Sequence, residues 1–443
     1  MKLPPEMLLR IFFWVDRQHE LVVDSDTEGS ESKTALPQPL AFVCRRWLEV
    51  LSDNRSYWKN LHVVIDWPTL APPVIETFFS DSSKNKFQLH VTLSNPTSRA
   101  LTPPQEHERL TFIMQHASQH FDRVTLLSIN VVYRSSIVKI GRFLNRAVLP
   151  NLTRLDLVSQ ETNDTSAFVE YDSDSTGWYG ECDAHPEFPK LRELQIDASS
   201  FFDLYLCDTE WPCNQFKLRL TKYGAAADTG SKNMTENTSD FVNALGKLSE
   251  AVDTFDLEIE DVYIATSPDE RMYPDSDCDT EIEGVTSVKL VNVQDPGFIS
   301  MLFNYMSEAP ESTVLERCEV DEHTVVKGEE LRLVGFPGPS MLHIVRRWEG
   351  LRLFVKDCPG FDDEFIAALS GTDTGEDDVI CPNMESLEIE GCSGFSAGML
   401  RHMCETRDDI EQLTVYDGPE LNEDQRVWFE ENVDEFYWSE VEE

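Results

Sequence analysis

The stretch MESLEIEGC, residues 384–392, sets apolar side chains at Met384, Leu387 and Ile389, that is at i, i+3 and i+5, and a cysteine at Cys392. Leu387 and Ile389 are two apart, so on an extended chain they point to one face while Glu388 points to the other. The spacing recurs at Phe121/Val124/Leu126, Leu152/Leu155/Leu157, Leu191/Leu194/Ile196, Val252/Phe255/Leu257, Val285/Val288/Leu290 and Ile410/Leu413/Val415, with Leu353/Val355 as a truncated copy. The residue between the last two is polar in nearly every copy: Thr125, Asp156, Gln195, Asp256, Lys289, Glu388 and Thr414. Each set reads as a strand with one buried and one wet face.

Ahead of many of these strands the period changes to i, i+3, i+4, i+7, the mark of an amphipathic helix. It appears at Leu110/Ile113/Met114/Ala117, Phe241/Ala244/Leu245/Leu248, Ile299/Leu302/Phe303/Met306 and Met341/Ile344/Val345/Trp348, and in shorter form at Met399/Leu400/Met403. Asp295-Pro296, Ser340 and Ser396 offer N-caps. Helix and strand alternate in units of about 25–40 residues, as in repeat architectures. Alternation implies an α/β fold of parallel strands. A doubly wound sheet or a closed barrel would bury both strand faces and make the strands continuous apolar runs. The polar central residues fit instead an irregular leucine-rich-repeat solenoid, which the body resembles. Cys358 and Cys392 follow Val355 and Ile389 by three, where that repeat's signature allows cysteine. Another α/β fold is the alternative.

The chain has 443 residues, with 37 Lys+Arg against 81 Asp+Glu, a formal net charge of −44. Such acidity excludes binding that rests on neutralising phosphates, so neither nucleic acid nor an anionic membrane is an expected partner. Residues 1–150 carry 17 bases and 15 acids, and residues 151–443 carry 20 and 66, so the net is +2 in the head and −46 in the body. Segments 161–187, 269–283, 362–378 and 420–443 hold 32 of the acids and 2 bases, and read as solvated loops and an acidic C-terminal segment. Ten scattered cysteines with no C-x-x-C pair exclude a zinc ribbon or a disulfide framework. No apolar run approaches the ~18 residues of a membrane span. Pro4-Pro5-Glu6 and Arg10 interrupt the apolar N-terminus, which therefore fails as a signal peptide. Cytoplasm or nucleus is expected.

Residues 3–61 leave the repeat. Leu3-Pro4-Pro5-Glu6 opens a helix with Met7, Leu8, Ile11, Phe12 and Val15 as its apolar stripe. An acidic, Ser-rich loop is expected near 17–38. A second helix then carries Leu40, Val43, Cys44 and Trp47, and Trp58 and Leu61 close the unit. L-P-P-E, L-L-R-I-F, V-C-R-R-W and a Trp eleven residues after Trp47 resemble, in that order, an F-box. The combination of that head with an acid-rich repeat body is similar to fungal F-box families of mushroom-forming species. Leu3 to Val43 spans 40 residues, longer than is usual in the family, and the extra residues fall in the acidic loop. The resemblance implies a small helical domain over 1–62 and an irregular leucine-rich-repeat-like domain over 63–443. It implies a non-catalytic substrate receptor of a ubiquitin ligase, bound through a Skp-type adaptor to a cullin. Leu3, Pro4, Glu6, Leu9, Ile11, Phe12, Val43, Cys44 and Trp47 would then belong to the adaptor-binding unit, with Trp47 and Trp58 serving partly as internal packing.

Gly394-Phe-Ser396-Ala-Gly398 matches the G-x-S-x-G nucleophile motif, but only His402 follows it closely and no acid lies in 397–401. A helix N-cap explains Ser396 equally. His116 and His120 have the spacing of two metal ligands on a helix, without a third ligand. Lys139, Arg142 and Arg146 form a basic stripe that reads as a solvated face. No phosphate-binding glycine loop is present. The expectation is therefore no enzyme, no cofactor and no metal. The expected substrate surface is the wet strand face of Asp156, Gln195, Asp256, Lys289, Glu388 and Thr414, and the acidity of the body points to a basic protein substrate. A stand-alone acidic repeat protein that binds basic proteins such as histones is the alternative. Ser25 and Ser276, each followed by acids, are candidate phosphorylation sites in acidic loops.

Overall fold

The computed structural model describes residues 3–23, 40, 43–52, 59–66, 75, 78–79, 86–94, 101–144, 147–161, 187–203, 213–223, 238–262, 281–371, 380–407 and 409–440. The chain divides into two compact units, 1–213 and 214–443, and the helical head belongs to the first.

Among the described residues of the first unit, α1 (Pro5–Val23) and α2 (Arg45–Ser52) precede five strands: β1 (Asn60–Val64), β2 (Phe87–Thr92), β3 (Val124–Tyr133), β4 (Arg154–Glu161) and β5 (Glu193–Asp197). Helix α3 (Pro103–Ser118) runs before β3, α4 (Arg134–Leu144) after it, and α5 (Ala198–Asp203) after β5. Each strand pairs in parallel with the one before it in sequence. Helix α1 continues to Val23, so the loop expected from residue 17 starts later; the rest of it, including Ser25, lies outside the described residues.

Among the described residues the second unit holds nine strands in sequence order: β6 (Cys213–Tyr223), β7 (Val252–Val262), β8 (Val285–Val291), β9 (Ser312–Glu316), β10 (Glu330–Val334), β11 (Arg352–Lys356), β12 (Ser386–Glu390), β13 (Gln412–Gly418) and β14 (Glu435–Glu440). Pairing is parallel from β7 to β14. The helices are α6 (Thr238–Glu250), α7 (Pro296–Asn304), α8 (Gly338–Val345), α9 (Asp363–Leu369), α10 (Ala397–Thr406) and α11 (Glu423–Asn432). The expected α/β class with parallel strands is therefore what the chain adopts, in a solenoid-like order within each unit.

The core follows the apolar spacing. Leu387 and Ile389 pair with Leu413 and Val415 on one side and with Leu353 and Val355 on the other, and all six are buried. Helices of the repeat bury their apolar stripes: Leu110, Ile113, Met114 and Ala117 from α3, and Phe241, Leu245 and Leu248 from α6, are buried. Burying one such side chain contributes about 1.5–3 kcal/mol relative to leaving it exposed. Consecutive helices pack against one another, as α3 does on α4 and α9 on α10.

A second regularity concerns strand ends. The second residue beyond the last ladder apolar is left-handed in every coil from β6 to β13: Lys222, Asp261, Asn292, Arg317, Gly335, Asp357, Gly391 and Asp417, with φ between 50° and 73°. The kink turns the backbone out of the sheet, and its N–H donates to the next coil, as Asn292 to Glu316 O and Arg317 to Val334 O. One residue further sit Cys318, Cys358 and Cys392, all buried. Their thiols donate back to Leu290 O, Leu333 O and Val355 O at 3.4, 3.4 and 3.9 Å.

Several expectations are corrected. At β3 the buried pair is Leu127/Ile129, because Val124 pairs with Phe87 and Leu126 with Gln88, leaving Thr125 as the extra residue of a bulge. Leu126 thereby turns to the open face. At β7 the ladder pair is Leu257/Ile259, opposite Val288/Leu290, so the central residue is Glu258 in place of Asp256. Ser340 lies inside α8, whose N-cap is Pro337. Two of the acidic segments are partly helical. Asp362 caps α9, with Asp363 and Glu364 in its first turn, and Glu423 and Asp424 begin α11; carboxylates there favour the positive helix end.

Candidate functional site

Two surfaces stand out. The first is the head. Leu8 and Phe12 point into the unit, and Phe12 lies edge-on to Trp47 with ring centroids 4.9 Å apart. Arg46 Nη2 donates to Leu3 O at 3.0 Å, tying the start of α1 to α2. Leu3 lies just ahead of α1, and Met7, Ile11 and Trp14, at about 100° per residue, share a stripe of that helix on a different side from Leu8 and Phe12. They are 48%, 46%, 37% and 59% exposed, and Val43 ahead of α2 is 57% exposed. Of the expected adaptor residues, Leu3, Pro4, Glu6, Ile11, Val43 and Cys44 are exposed, Leu9 and Trp47 are half-buried, and Phe12 is interior. Sequence spacing missed Trp14, which extends the exposed stripe by one turn. Trp58 lies outside the described residues.

The second surface is the sheet face opposite the helices. In the first unit the register aligns His62, His90, Ser128, Asp156 and Gln195 across five strands. The two imidazoles stack 4.2 Å apart at 12°. Arg154 reaches both Asp156 at 2.9 Å and Glu193 at 3.4 Å. In the second unit the row from β7 to β14 reads Glu258, Lys289, Val314, Arg332, Phe354, Glu388, Thr414 and Tyr437. Thus Asp156 and Gln195 share one row, and Lys289, Glu388 and Thr414 share another. Asp256 sits one pair along from its expected place, accepting from Ser287 Oγ at 2.7 Å.

Charge on this face alternates. Arg219 on β6 bonds Glu260 at 2.6 Å and approaches Glu258 at 3.7 Å, and Lys289 holds Glu258 at 3.2 Å. Arg332 lies over the Phe354 ring at 4.9 Å, and Lys356 bonds Glu390 at 2.7 Å, which raises the lysine pKa. Burial raises the pKa of Glu388 against the pull of Arg332, with Glu390 and Glu330 adding to the rise. The described open face from β6 to β11 is thus balanced by local ion pairs.

A buried polar cluster in the first unit was not anticipated. Glu106 on α3 accepts from the N–H groups of Val132 and Tyr133 at 2.9 and 3.1 Å and from Ser136 Oγ, where β3 runs into α4. His107 Nε2 meets Ser135 Oγ at 3.0 Å. Arg134 Nε donates to Asp197 Oδ1 at 3.2 Å, and Asp197 also accepts from Ser200 N. Burial raises the pKa of Glu106 and lowers that of His107 to about 4. These groups satisfy backbone at an inter-element junction and serve packing.

The chemical candidates are occupied structurally. Ser396 Oγ accepts from Met399 N at 3.3 Å as the N-cap of α10. His116 Nδ1 lies 2.9 Å from Phe112 O, and His120 stacks on Phe79. Among the described residues no group of three His, Cys, Asp or Glu is placed to hold a metal ion, and no helix is long and apolar enough to cross a membrane. Burial keeps the thiols protonated, with the pKa of Cys318 and Cys392 at about 11 and of Cys381 and Cys404 at about 12. Arg142, Arg146 and Ser276 lie outside what the structure describes of side chains. Comparison with protein-family models gives no match, and no curated protein matches the sequence significantly.

Proposed function

We propose that the chain is a substrate receptor of a cullin-type ubiquitin ligase, with an F-box-like head that binds a Skp-type adaptor and a leucine-rich-repeat-like sheet that holds a protein substrate. The observation that carries this reading is the set of Leu3, Met7, Ile11 and Trp14, left exposed while Leu8 and Phe12 of α1 are buried. Large apolar side chains that a fold leaves together in water mark a partner surface. The L-P-P-E and V-C-R-R-W pieces flank that stripe in the order the family uses. The open sheet face, with its charged residues and no helix over it among the described residues, supplies the substrate side.

The test is titration of the full chain with purified Skp-type adaptor. A one-to-one complex should form, and Met7→Asp with Ile11→Asp should weaken it more than tenfold without changing the unfolding midpoint. No complex with the unaltered chain would sink the receptor reading. It would leave the second reading, a stand-alone binder of basic proteins, which the acid-rich end of the open face favours.

A further inference from the structure

Tyr416 and Tyr437 lie side by side on the open face of β13 and β14, ring centroids 5.2 Å apart at 48°, and are 38% and 50% exposed. The other aromatics at this end are turned inward: Phe429 stacks on Phe436 and Trp438 beneath the sheet. Around the two tyrosines the face is acidic. Glu390 is the register partner of Tyr416, Glu388 that of Thr414, whose next partner is Tyr437, and Glu435 precedes Tyr437 on the same face. No lysine or arginine occurs in 386–390, 412–418 or 435–440, in contrast to β10 and β11, which carry Arg332, Arg352 and Lys356.

We propose that the open face of β12, β13 and β14 is a docking surface for a basic stretch of a protein, with an arginine or lysine side chain laid over the Tyr416–Tyr437 pair and its charge near Glu388 and Glu435, since Glu390 is already paired with Lys356. The molecule uses this arrangement internally two strands away, where Arg332 covers Phe354, and again where Arg401 covers Trp428 at 4.9 Å. At β13 and β14 the rings are present, and among the described residues no arginine or lysine lies over them, Lys356 being bonded to Glu390. A cation over a tyrosine face is attracted by the ring quadrupole and more strongly where carboxylates are near. The same carboxylates repel nucleic acid and anionic lipid. A second copy of a chain with net charge −44 is repelled too. An apolar segment would desolvate the acids with no compensation. This inference rests on reading the open sheet face as the substrate side and does not depend on the adaptor.

The experiment uses the full chain and a fluorescein-labelled Gly/Ser peptide carrying two arginines, with the same peptide carrying two citrullines as its uncharged match. The arginine peptide should bind at least about tenfold tighter, and Tyr416→Ala with Tyr437→Ala should cut its affinity about tenfold, while Tyr→Phe at both positions retains it. Glu388→Gln with Glu435→Gln should weaken it as well, and serves if the alanine pair perturbs folding. Glu308→Gln with Glu311→Gln, which removes equal charge from exposed positions ahead of β9, should leave binding unchanged. Equal binding of the citrulline peptide, or equal loss from the Glu308/Glu311 change, overturns the proposal in favour of bulk attraction. Adaptor binding is measured on the same samples. Its failure with retained peptide binding sinks the ligase reading alone, and peptide failure with retained adaptor binding sinks this one alone.

Discussion

The indole Nε1 of Trp348 donates to the carbonyl of Gly328 at 2.8 Å, linking the approach to β11 with the approach to β10. In these two coils the first apolar residue of the repeat is replaced by glycine, Gly328 and Gly350, and the buried Trp348 fills the space. A Cβ on Gly350 would lie 2.3 Å from Gly328 O and 2.5 Å from the Trp348 ring. Trp348→Phe should therefore cost about 1–3 kcal/mol for the unpaired carbonyl, and Trp348→Ala about 3–5 kcal/mol. Gly350→Ala should destabilise. Gly398→Ala, where the added carbon meets only Gln425 Nε2 at 4.0 Å, should stabilise by about 0.4–1 kcal/mol. Urea unfolding of the four variants decides it, and equal midpoints for Gly350→Ala and Gly398→Ala would refute the packing account.

Arg134 and Asp197 form an ion pair that is almost wholly buried, with side chains 5% and 0% exposed. Removing one partner strands the other charge in the interior. Arg134→Ala is expected to cost about 3–5 kcal/mol, whereas Arg134→Met with Asp197→Leu, which removes both charges, should cost much less. A double-mutant cycle in chemical denaturation measures the coupling. Additive losses would mean that the two groups act separately.

His107 gives a pH dependence with a definite sign. Burial, helped by Lys139, lowers its folded pKa to about 4, against an ordinary value of 6.5. The unfolded chain then binds a proton between these values that the folded chain refuses. Stability from this group is complete above about pH 6.5 and falls as the pH drops towards 4, by up to about 3 kcal/mol. Glu106 has the opposite slope, because its raised pKa means that the stability it contributes is present at low pH and lost as pH rises through the folded value. His107→Gln should flatten the acid limb between pH 6.5 and 4. An unchanged limb in thermal melts across that range would assign the acid loss to other groups.

The left-handed kinks after the strands predict substitutions that act through backbone alone. Arg317 holds φ at 50° with its side chain largely in solvent. Arg317→Gly should be neutral or stabilise by up to about 1 kcal/mol, since a left-handed conformation costs an ordinary L-residue roughly 1–2 kcal/mol. Gly391→Val should destabilise, because φ is 65° there and a Cβ would lie 2.3 Å from Asp357 Oδ1. Thermal unfolding of both variants is the check; a stability loss in Arg317→Gly would show that the Arg317–Glu316 contact matters more than the kink.

What was legible in the sequence was whatever repeats as a period. Leu155/Leu157, Leu194/Ile196, Leu387/Ile389 and Leu413/Val415 occupy the ladder as read, because alternate burial leaves a clean apolar–polar–apolar trace. Coils that break the trace were unread. In β9 Thr313 takes an apolar ladder place, fully buried, its hydroxyl donated to Lys327 O. In β10 the initial apolar residue is Gly328, and the filling comes from Trp348 in the next coil. Bulges at Thr125 and in β8 shifted β3 and β7, since an inserted residue changes facing without changing composition. The buried polar groups Glu106, His107, Arg134 and Asp197 follow no spacing rule, because each finds its partner on another element only after packing. The tyrosine pair was equally hidden, Tyr416 and Tyr437 being 21 residues apart and adjacent only through the β13–β14 register.

Successive residues of α1 separate core from exposed stripe in the head. Phe12 is fully buried against Trp47, and Ile11 is exposed on the apolar stripe. Phe12→Ala should destabilise the first unit by about 3–5 kcal/mol, with adaptor binding lost only as a consequence of unfolding. Ile11→Asp should leave the unfolding midpoint within about 0.5 kcal/mol of the unaltered chain, as a surface change does. It should nonetheless remove most adaptor affinity, because a carboxylate would be desolvated in the contact. Trp14→Ala should weaken binding as well if the contact extends along the whole stripe. Calorimetric titration of each variant with the adaptor, paired with its melting curve, distinguishes the cases. Affinity that tracks stability across the series, with Ile11→Asp binding normally, would place the adaptor contact elsewhere and leave the stripe of Leu3, Met7, Ile11 and Trp14 without the role assigned to it.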